Sequence, residues 1–369
     1  MGKLKVGILC GGKSAEHEVS LQSAKNVFDA MDREKYEPVL IGIDKSGKWL
    51  YREAAKAEDL ILNAGDPENI RINPDSRELI LRPRSGGSLL IPGGPPSLKV
   101  DVIFPMLHGP FGEDGTVQGL LKLAELPFVG AGVSGSAVGM DKDLMKRLLR
   151  DGGVPIGKFL ALRAHETLPP FADIVSVLGA PVFVKPANMG SSVGVGKVRD
   201  EAEYRKAAAE ALQYDVKLIL EEFIPGREIE CSVLGNERPA ASLPGEIRPG
   251  KGFYSYEAKY LDSAGAALEI PAKLSPETTA EVQRLAVKTF EILECQGLAR
   301  VDFFLQEDGQ VVVNEINTMP GFTKISMYPK LWEASGIPYS ALISRLIELA
   351  IEKFAGERGL RTSYPLSCF

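Results

Sequence analysis

The arrangement that constrains this chain most lies near its carboxy terminus, where Arg300-Val301-Asp302 and Val311-Val312-Val313-Asn314-Glu315-Ile316-Asn317 flank Asp308-Gly309. Asp-Gly between apolar runs is a strong hairpin signal. A two-residue turn pairs Glu307 with Gln310, and counting back along both arms sets Asp302 opposite Glu315 and Arg300 opposite Asn317. Side chains alternate across a strand, so Arg300, Asp302, Glu315 and Asn317 share one face. Two carboxylates opposed in a sheet repel, a cost expected to be offset by a cation. Oxygen donors without Cys or His point to a hard ion such as Mg²⁺ or Mn²⁺. The plainer alternative is a solvated hairpin face whose acids are merely exposed.

The chain has 369 residues, 44% of them hydrophobic and 25% charged, as in a soluble globular protein. That length accommodates about two to three domains. A net charge of −6 without a basic tract argues against nucleic acid or an anionic membrane as partner. Cys10, Cys231, Cys295 and Cys368 show no C-x-x-C spacing, so buried thiols in a reducing cytoplasm are expected, with neither zinc nor a disulfide framework. The apolar run Val6 to Cys10 is too short for a signal peptide, and no segment approaches a membrane span.

Val6 to Cys10 reads as a buried parallel strand, Gly11-Gly12 as a tight turn and Val19 to Met31 as a helix, so the chain opens with a βα unit. Val39 to Ile43 adds a strand, residues 46–96 read as an insertion of short strands and loops, and Val100 to Phe104 returns to a buried strand followed by a helix over Gln118 to Glu125. Three divisions are predicted: 1–126, 127–222 and 223–369. The second contains a helix at Lys142 to Asp151, the strand pair Val182 to Lys185 and Val193 to Val198, and an Ala-rich helix over Ala202 to Gln213. The third is strand-rich, with helices near Pro276 to Leu293 and Ser340 to Phe354 around the opening hairpin.

Residues 190–197, Gly-Ser-Ser-Val-Gly-Val-Gly-Lys, fail the Walker spacing because Val195 stands where the second glycine belongs. A glycine-rich loop between antiparallel strands can still fold over a triphosphate with its N–H groups, or it can be a flexible hairpin without ligand. Lys185 ends an apolar strand beside this loop, and Lys142 opens a helix; either could reach a phosphate or simply be solvated. Glu221, Glu222 and Glu228 lie where a strand crosses between domains, suited to adenine and ribose or to a polar strand edge. Phe253 to Tyr260 is too aromatic for an ordinary loop and reads as one that closes on a ligand. Glu16 and His17 follow the first strand at the position where open α/β sheets bind ligands, His108 follows another strand, and Gly321 can present its N–H without side-chain obstruction. The Gly11-Gly12 turn lacks the G-x-G-x-x-G spacing of a dinucleotide dehydrogenase.

Taken together and in this order, Gly11-Gly12 with Ser14-Ala15-Glu16, His108-Gly109, Met140-Asp141-Lys142, Val184-Lys185-Pro186, residues 190–194, Tyr256-Glu257-Ala258-Lys259-Tyr260, Arg300-Val301-Asp302 and Asn314-Glu315-Ile316-Asn317 resemble the D-alanine:D-alanine ligases of the ATP-grasp superfamily. The resemblance implies an α/β and α+β molecule: an N-terminal open α/β domain, then two domains whose antiparallel sheets sandwich ATP. It implies ligation of two D-alanines through an acyl phosphate, for peptidoglycan precursors. By position, Asp302, Glu315 and Asn317 would hold two Mg²⁺ (or Mn²⁺) ions, and Lys142, Lys185 and Lys259 would neutralise phosphates under a lid that includes Ser192. Glu221 and Glu228 would take adenine and ribose between the walls Phe183 and Phe304. Glu16 would bind the first ammonium, His108 would sit near its carboxylate, and Arg300 with the Gly321 N–H would stabilise an oxyanion. Ser326 and the Met327 backbone would take the second carboxylate, while Glu16, Ser191 and Tyr260 would form a hydrogen-bonded triad. A homodimer is the family expectation. An intact Tyr256–Tyr260 motif favours the dipeptide over D-alanyl-D-lactate or D-alanyl-D-serine; a ligase for another carboxylate and amine, and a nucleotide-binding regulatory or kinase-like protein, are the competing readings.

Overall fold

The computed structural model describes residues 2–66, 69–94, 97–249 and 266–361. Lys259, Tyr260, the rest of the aromatic loop, and Cys368 lie outside the described residues.

The amino-terminal sheet runs in the order Val102–Pro105, Leu4–Gly11, Tyr36–Ile43, Trp49–Tyr51, Arg77–Glu78. Leu4–Gly11 is parallel to both neighbours and buried from Val6 to Gly11, which is why its sequence is a continuous apolar run. Helix His17–Ala30 lays Leu21, Ala24, Val27 and Phe28 onto one face. Because the chain goes from Leu4–Gly11 to one neighbour and later returns to the other, a crevice opens at the carboxyl ends of Leu4–Gly11 and Val102–Pro105. Residues 11–16 and 106–109 emerge into it. The described residues between 46 and 94 fold mainly as short strands and turns, as the punctuation there predicts.

A second sheet, wholly antiparallel, orders Phe159–Arg163, Lys217–Glu222, Val182–Pro186 and Gly196–Val198. Alternation divides it: Val182 and Val184 are buried under helices Phe171–Leu178 and Glu201–Ala211, whereas Phe183 and Lys185 face the other way. The third sheet orders Ala266–Glu269, Gly245–Pro249, Arg227–Gly235, Gly297–Leu305 and Val311–Asn317. Helix Pro276–Ile292, capped by Ser275 and opened by Pro276, covers its apolar face through Val282, Leu285 and Phe290. Asp302 and Phe304 point from the opposite face.

The hairpin keeps the expected pairings Arg300–Asn317 and Asp302–Glu315 but reaches them differently. The Gln306 N–H donates to the Gln310 carbonyl at 2.9 Å, so the loop holds Glu307, Asp308 and Gly309 rather than two residues, with Gly309 at φ 86°. A bulge then restores the register: Phe303 pairs with Val313 and Asp302 with Glu315, leaving Asn314 as the extra residue. Val193 to Val195 belongs to the turn and not to a strand, which begins at Gly196. Helices Val133–Met140, Phe171–Leu178 and Met327–Ala334 and strand Phe159–Arg163 were not foreseen from the sequence.

Candidate functional site

Between the second and third sheets lies a cleft of about 510 Å³. Phe183 enters it from one sheet and Phe304 from the other. Phe223 stands 6.2 Å from Phe183 between ring centroids, and Lys197 Nζ lies 3.8 Å above the Phe223 ring. The slot is therefore apolar at one end, with a cation over its aromatic wall.

Further along, positive charge gathers. Strand alternation brings Lys185 to the cleft, and helix Lys142–Asp151 begins there because Asp141 caps it by accepting the Asp143 and Leu144 N–H groups. Lys217 Nζ holds that cap, 2.7 Å from Asp141 Oδ1. Lys142 Nζ donates to the Met189 carbonyl at 2.8 Å and lies 3.4 Å from Glu315 Oε2. Glu221, expected on the adenine side, lines the cleft and directs its carboxylate at two lysines: 2.6 Å to Lys185 Nζ and 3.2 Å to Lys146 Nζ. Burial pushes a carboxyl group up, yet the two ammonium groups outweigh it and hold Glu221 at about 2. Glu228 and Ser192 also line the cleft.

At the hairpin, Arg300 forks onto Asp302 with Nε–Oδ1 and Nη2–Oδ2 both 2.7 Å, and its Nε is 2.9 Å from Glu230 Oε2. Asn317 Nδ2 donates to Asp302 Oδ2 at 3.0 Å. The repulsion that argued for a cation is thus already offset by Arg300 on Asp302 and Lys142 on Glu315. Among the described residues no group of three or more His, Cys, Asp or Glu forms a metal cage. Two facing carboxylates and a carboxamide are nevertheless the donor set of an ion that keeps water and substrate oxygens as its other ligands, and a carboxylate accepting three hydrogen bonds, as Asp302 does, retains a lone pair. The residues fit Mg²⁺ or Mn²⁺ on that chemistry.

The crevice of the first sheet meets this cleft at the glycine-rich loop. Ser191 Oγ donates to Glu16 Oε1, joining residues 175 positions apart. Glu16 is buried, and Gly109 at φ 72° makes room for it: a Cβ there would lie 3.2 Å from Glu16 Oε2. His108 places Nδ1 3.0 Å from the Met319 carbonyl, and burial keeps its pKa below the ordinary value despite the nearby Glu16 charge, so the ring is neutral at pH 7. A Cβ on Gly321 would come within 2.8 Å of Ser326 Oγ, which in turn accepts the Thr323 N–H at 2.9 Å at the start of helix Met327–Ala334. Of the residues singled out from the sequence, Lys142, Phe183, Lys185, Ser191, Ser192, Glu221, Glu228, Phe304 and Glu315 line the cleft and Glu16 meets it through Ser191, whereas the Met327 side chain packs with Ile247 and Leu331. Sequence reasoning gave no role to Lys146, Lys197, Asn314 and Glu113; Lys146 repeats Lys142 one helical turn on, and Lys197 and Asn314 stand within the motifs quoted above, whereas nothing local marks Glu113.

Two family models match, the N-terminal part of D-alanine-D-alanine ligases over residues 5–131 and the C-terminal part over 148–348. The D-alanine-D-alanine ligase of Oceanobacillus iheyensis is 52% identical over 365 residues, covering 98% of this chain and 99% of its own. D-alanine-D-alanine ligase A of Salmonella typhimurium is also 52% identical, with 98% and 100% covered. Among solved structures, the D-alanine-D-alanine ligase from Coxiella burnetii superposes with a TM-score of 0.84 at 40% identity over 97% of each chain. The VanG D-Ala:D-Ser ligase of Enterococcus faecalis gives 0.83 at 35% identity over 95% of this chain and 100% of that one. The fold is the ATP-grasp fold, and the chain belongs to the D-alanine-D-alanine ligase family.

Proposed function

We propose that the protein joins two molecules of D-alanine, cleaving ATP to ADP and phosphate through a D-alanyl phosphate, and so supplies D-alanyl-D-alanine for peptidoglycan precursors in the cytoplasm. One observation supports this most: an apolar slot, a cationic channel and the Glu16–Ser191 junction form one continuous path between three sheets. A free carboxylate is a poor electrophile, so ATP has the task of installing a leaving group.

In this reading residues 1–126 hold the first amino acid, and 127–222 with 223–369 enclose the nucleotide. Phe183 and Phe304 would flank adenine, Glu228 would take the ribose, and Lys142, Lys185 and Lys259 would meet phosphate oxygens under Ser192. With the Glu221 carboxylate engaged by lysines, adenine contacts at that strand would fall to backbone groups. Asp302, Glu315 and Asn317 would hold two divalent ions, which supply positive charge to the triphosphate when bound. Glu16 would hold the first ammonium, with Ser191 and Tyr260 fixing it. His108, neutral and with its one N–H given to the Met319 carbonyl, would sit near the first carboxylate. Arg300 and the Gly321 N–H would meet the oxyanion as the second amine attacks, and Ser326 with the Met327 N–H would bind the second carboxylate. A homodimer accompanies this reading.

A second reading joins D-alanine to D-serine, as the name of the VanG neighbour says of that protein, or to D-lactate. Phosphate release with product mass analysis tests both: D-alanine alone should drive phosphate release equal to dipeptide formed, and chelation of divalent ions should abolish it. Glu16→Ala should lose dipeptide synthesis while keeping nucleotide affinity. Turnover with D-serine or D-lactate as preferred acceptor would move the assignment to the alternative, and turnover with L-alanine but none with D-alanine would overturn both.

A further inference from the structure

Glu113, given no role so far, ties together two loops of the junction. It follows strand Val102–Pro105 and sits beside Glu16 and Arg300. Its Oε2 accepts the Gly109 N–H at 2.7 Å, and its Oε1 accepts the Met319 N–H at 3.1 Å across 206 positions of sequence. His108 takes the carbonyl of the same Met319. Both backbone polar groups of Met319 are thus held by one loop of the first sheet. Two residues later comes Gly321, and on the other side of the staple Gly109 forms the wall against which the Glu16 carboxylate rests.

We propose that Glu113 is a positioning residue for the ligation step: by bridging Gly109 and Met319 it fixes the distance between the Glu16 carboxylate and the Gly321 N–H. The chemistry of the bridge calls for an acid. Two N–H donors converge on one side chain, one on each oxygen, so the observed geometry uses both oxygens of the carboxyl group as acceptors. A glutamine offers one oxygen and sets an NH₂ against the remaining N–H. An alanine leaves both donors without a partner.

This inference rests on the ligase reading above, and wild-type D-alanine ligation measured in parallel keeps the two apart: if the wild type makes no dipeptide, that reading fails whatever Glu113 does. The test is steady-state kinetics of Glu113→Gln and Glu113→Ala, with binding of a non-hydrolysable ATP analogue measured by calorimetry and folding by circular dichroism. Misplacement of reacting groups by about 1 Å costs about 10²-fold in rate, so Glu113→Gln should lose on the order of 10- to 100-fold in kcat for dipeptide and Glu113→Ala more. The analogue should bind both variants within about twofold of wild type, because the bridge lies outside the nucleotide slot. A folded Glu113→Gln protein with unchanged kcat and unchanged D-alanine constants would overturn the proposal. So would an equal loss of nucleotide affinity, or failure of Glu113→Gln to fold, since either assigns the side chain to general structure.

Discussion

Glu221 shows how one buried carboxylate can set the charge of a cleft through the lysines it holds. Alone in that position, Lys185 would be driven toward its neutral form by burial; Glu221, first among its charged neighbours, keeps it protonated and above the ordinary lysine value. Two lysines against one acid leave the trio with net positive charge facing the cleft, which suits a polyphosphate. Replacing Glu221 by Gln leaves two buried ammonium groups without their counter-ion, and the expected loss is roughly 3 kcal/mol at pH 7. The sign of the pH dependence follows from the depressed value: Glu221 contributes fully above the ordinary glutamate range near 4.5, and its contribution disappears as pH falls through about 2. Urea unfolding of wild type and variant should therefore differ most at neutral pH, with the gap closing between pH 4.5 and 2. A gap that stays constant over that interval would show that the ion pair does not stabilise the fold.

The hairpin illustrates what sequence alone could and could not reveal. Counting from Asp308-Gly309 placed Asp302 against Glu315 correctly because two departures cancel, a loop one residue longer than assumed and a one-residue bulge at Asn314. The bulge turns Asn314 as well as Glu315 toward the cleft. Gly309 at the tip, φ 86° with open space around it, offers a clean test. Gly309→Ala should cost about 1 kcal/mol through backbone conformation alone, measured by denaturant unfolding, with dipeptide synthesis unchanged. Lost activity in that variant would mean that the turn governs the register of the acidic residues. Long apolar strands were readable because burial on both faces leaves no polar interruption, as in Leu4–Gly11. Helix Val133–Met140 was not, because it packs on small residues: Gly135 lies so close to the Glu294 carbonyl that a Cβ would sit 2.6 Å away, and such glycines read as loop. Helix Met327–Ala334 hides a proline in its first turn, where proline is tolerated. Strand Phe159–Arg163 is half-buried along its length and lacks an alternating pattern.

Across the molecule, the first and third sheets share an apolar core through helix Tyr339–Arg358, the second sheet has a core of its own, and the candidate site lies where loops from all three come together. The residue types were legible from motifs, but the contacts that assemble them were not. Ser191 to Glu16, Met319 to Glu113 and Met319 to His108 each span more than 170 positions, and no periodicity or spacing rule reaches that far. The roles came from resemblance, and the geometry adds the resident cations on Asp302 and Glu315, the lysine cage around Glu221 and the Glu113 bridge. The central claim is that a D-alanine carboxylate is activated in this junction by taking a phosphoryl group from ATP. Carrying out the reaction with D-alanine labelled with ¹⁸O in its carboxylate tests this most directly, by mass analysis of the released phosphate. The account predicts one labelled oxygen transferred to inorganic phosphate for every dipeptide made; dipeptide formed with unlabelled phosphate would contradict it.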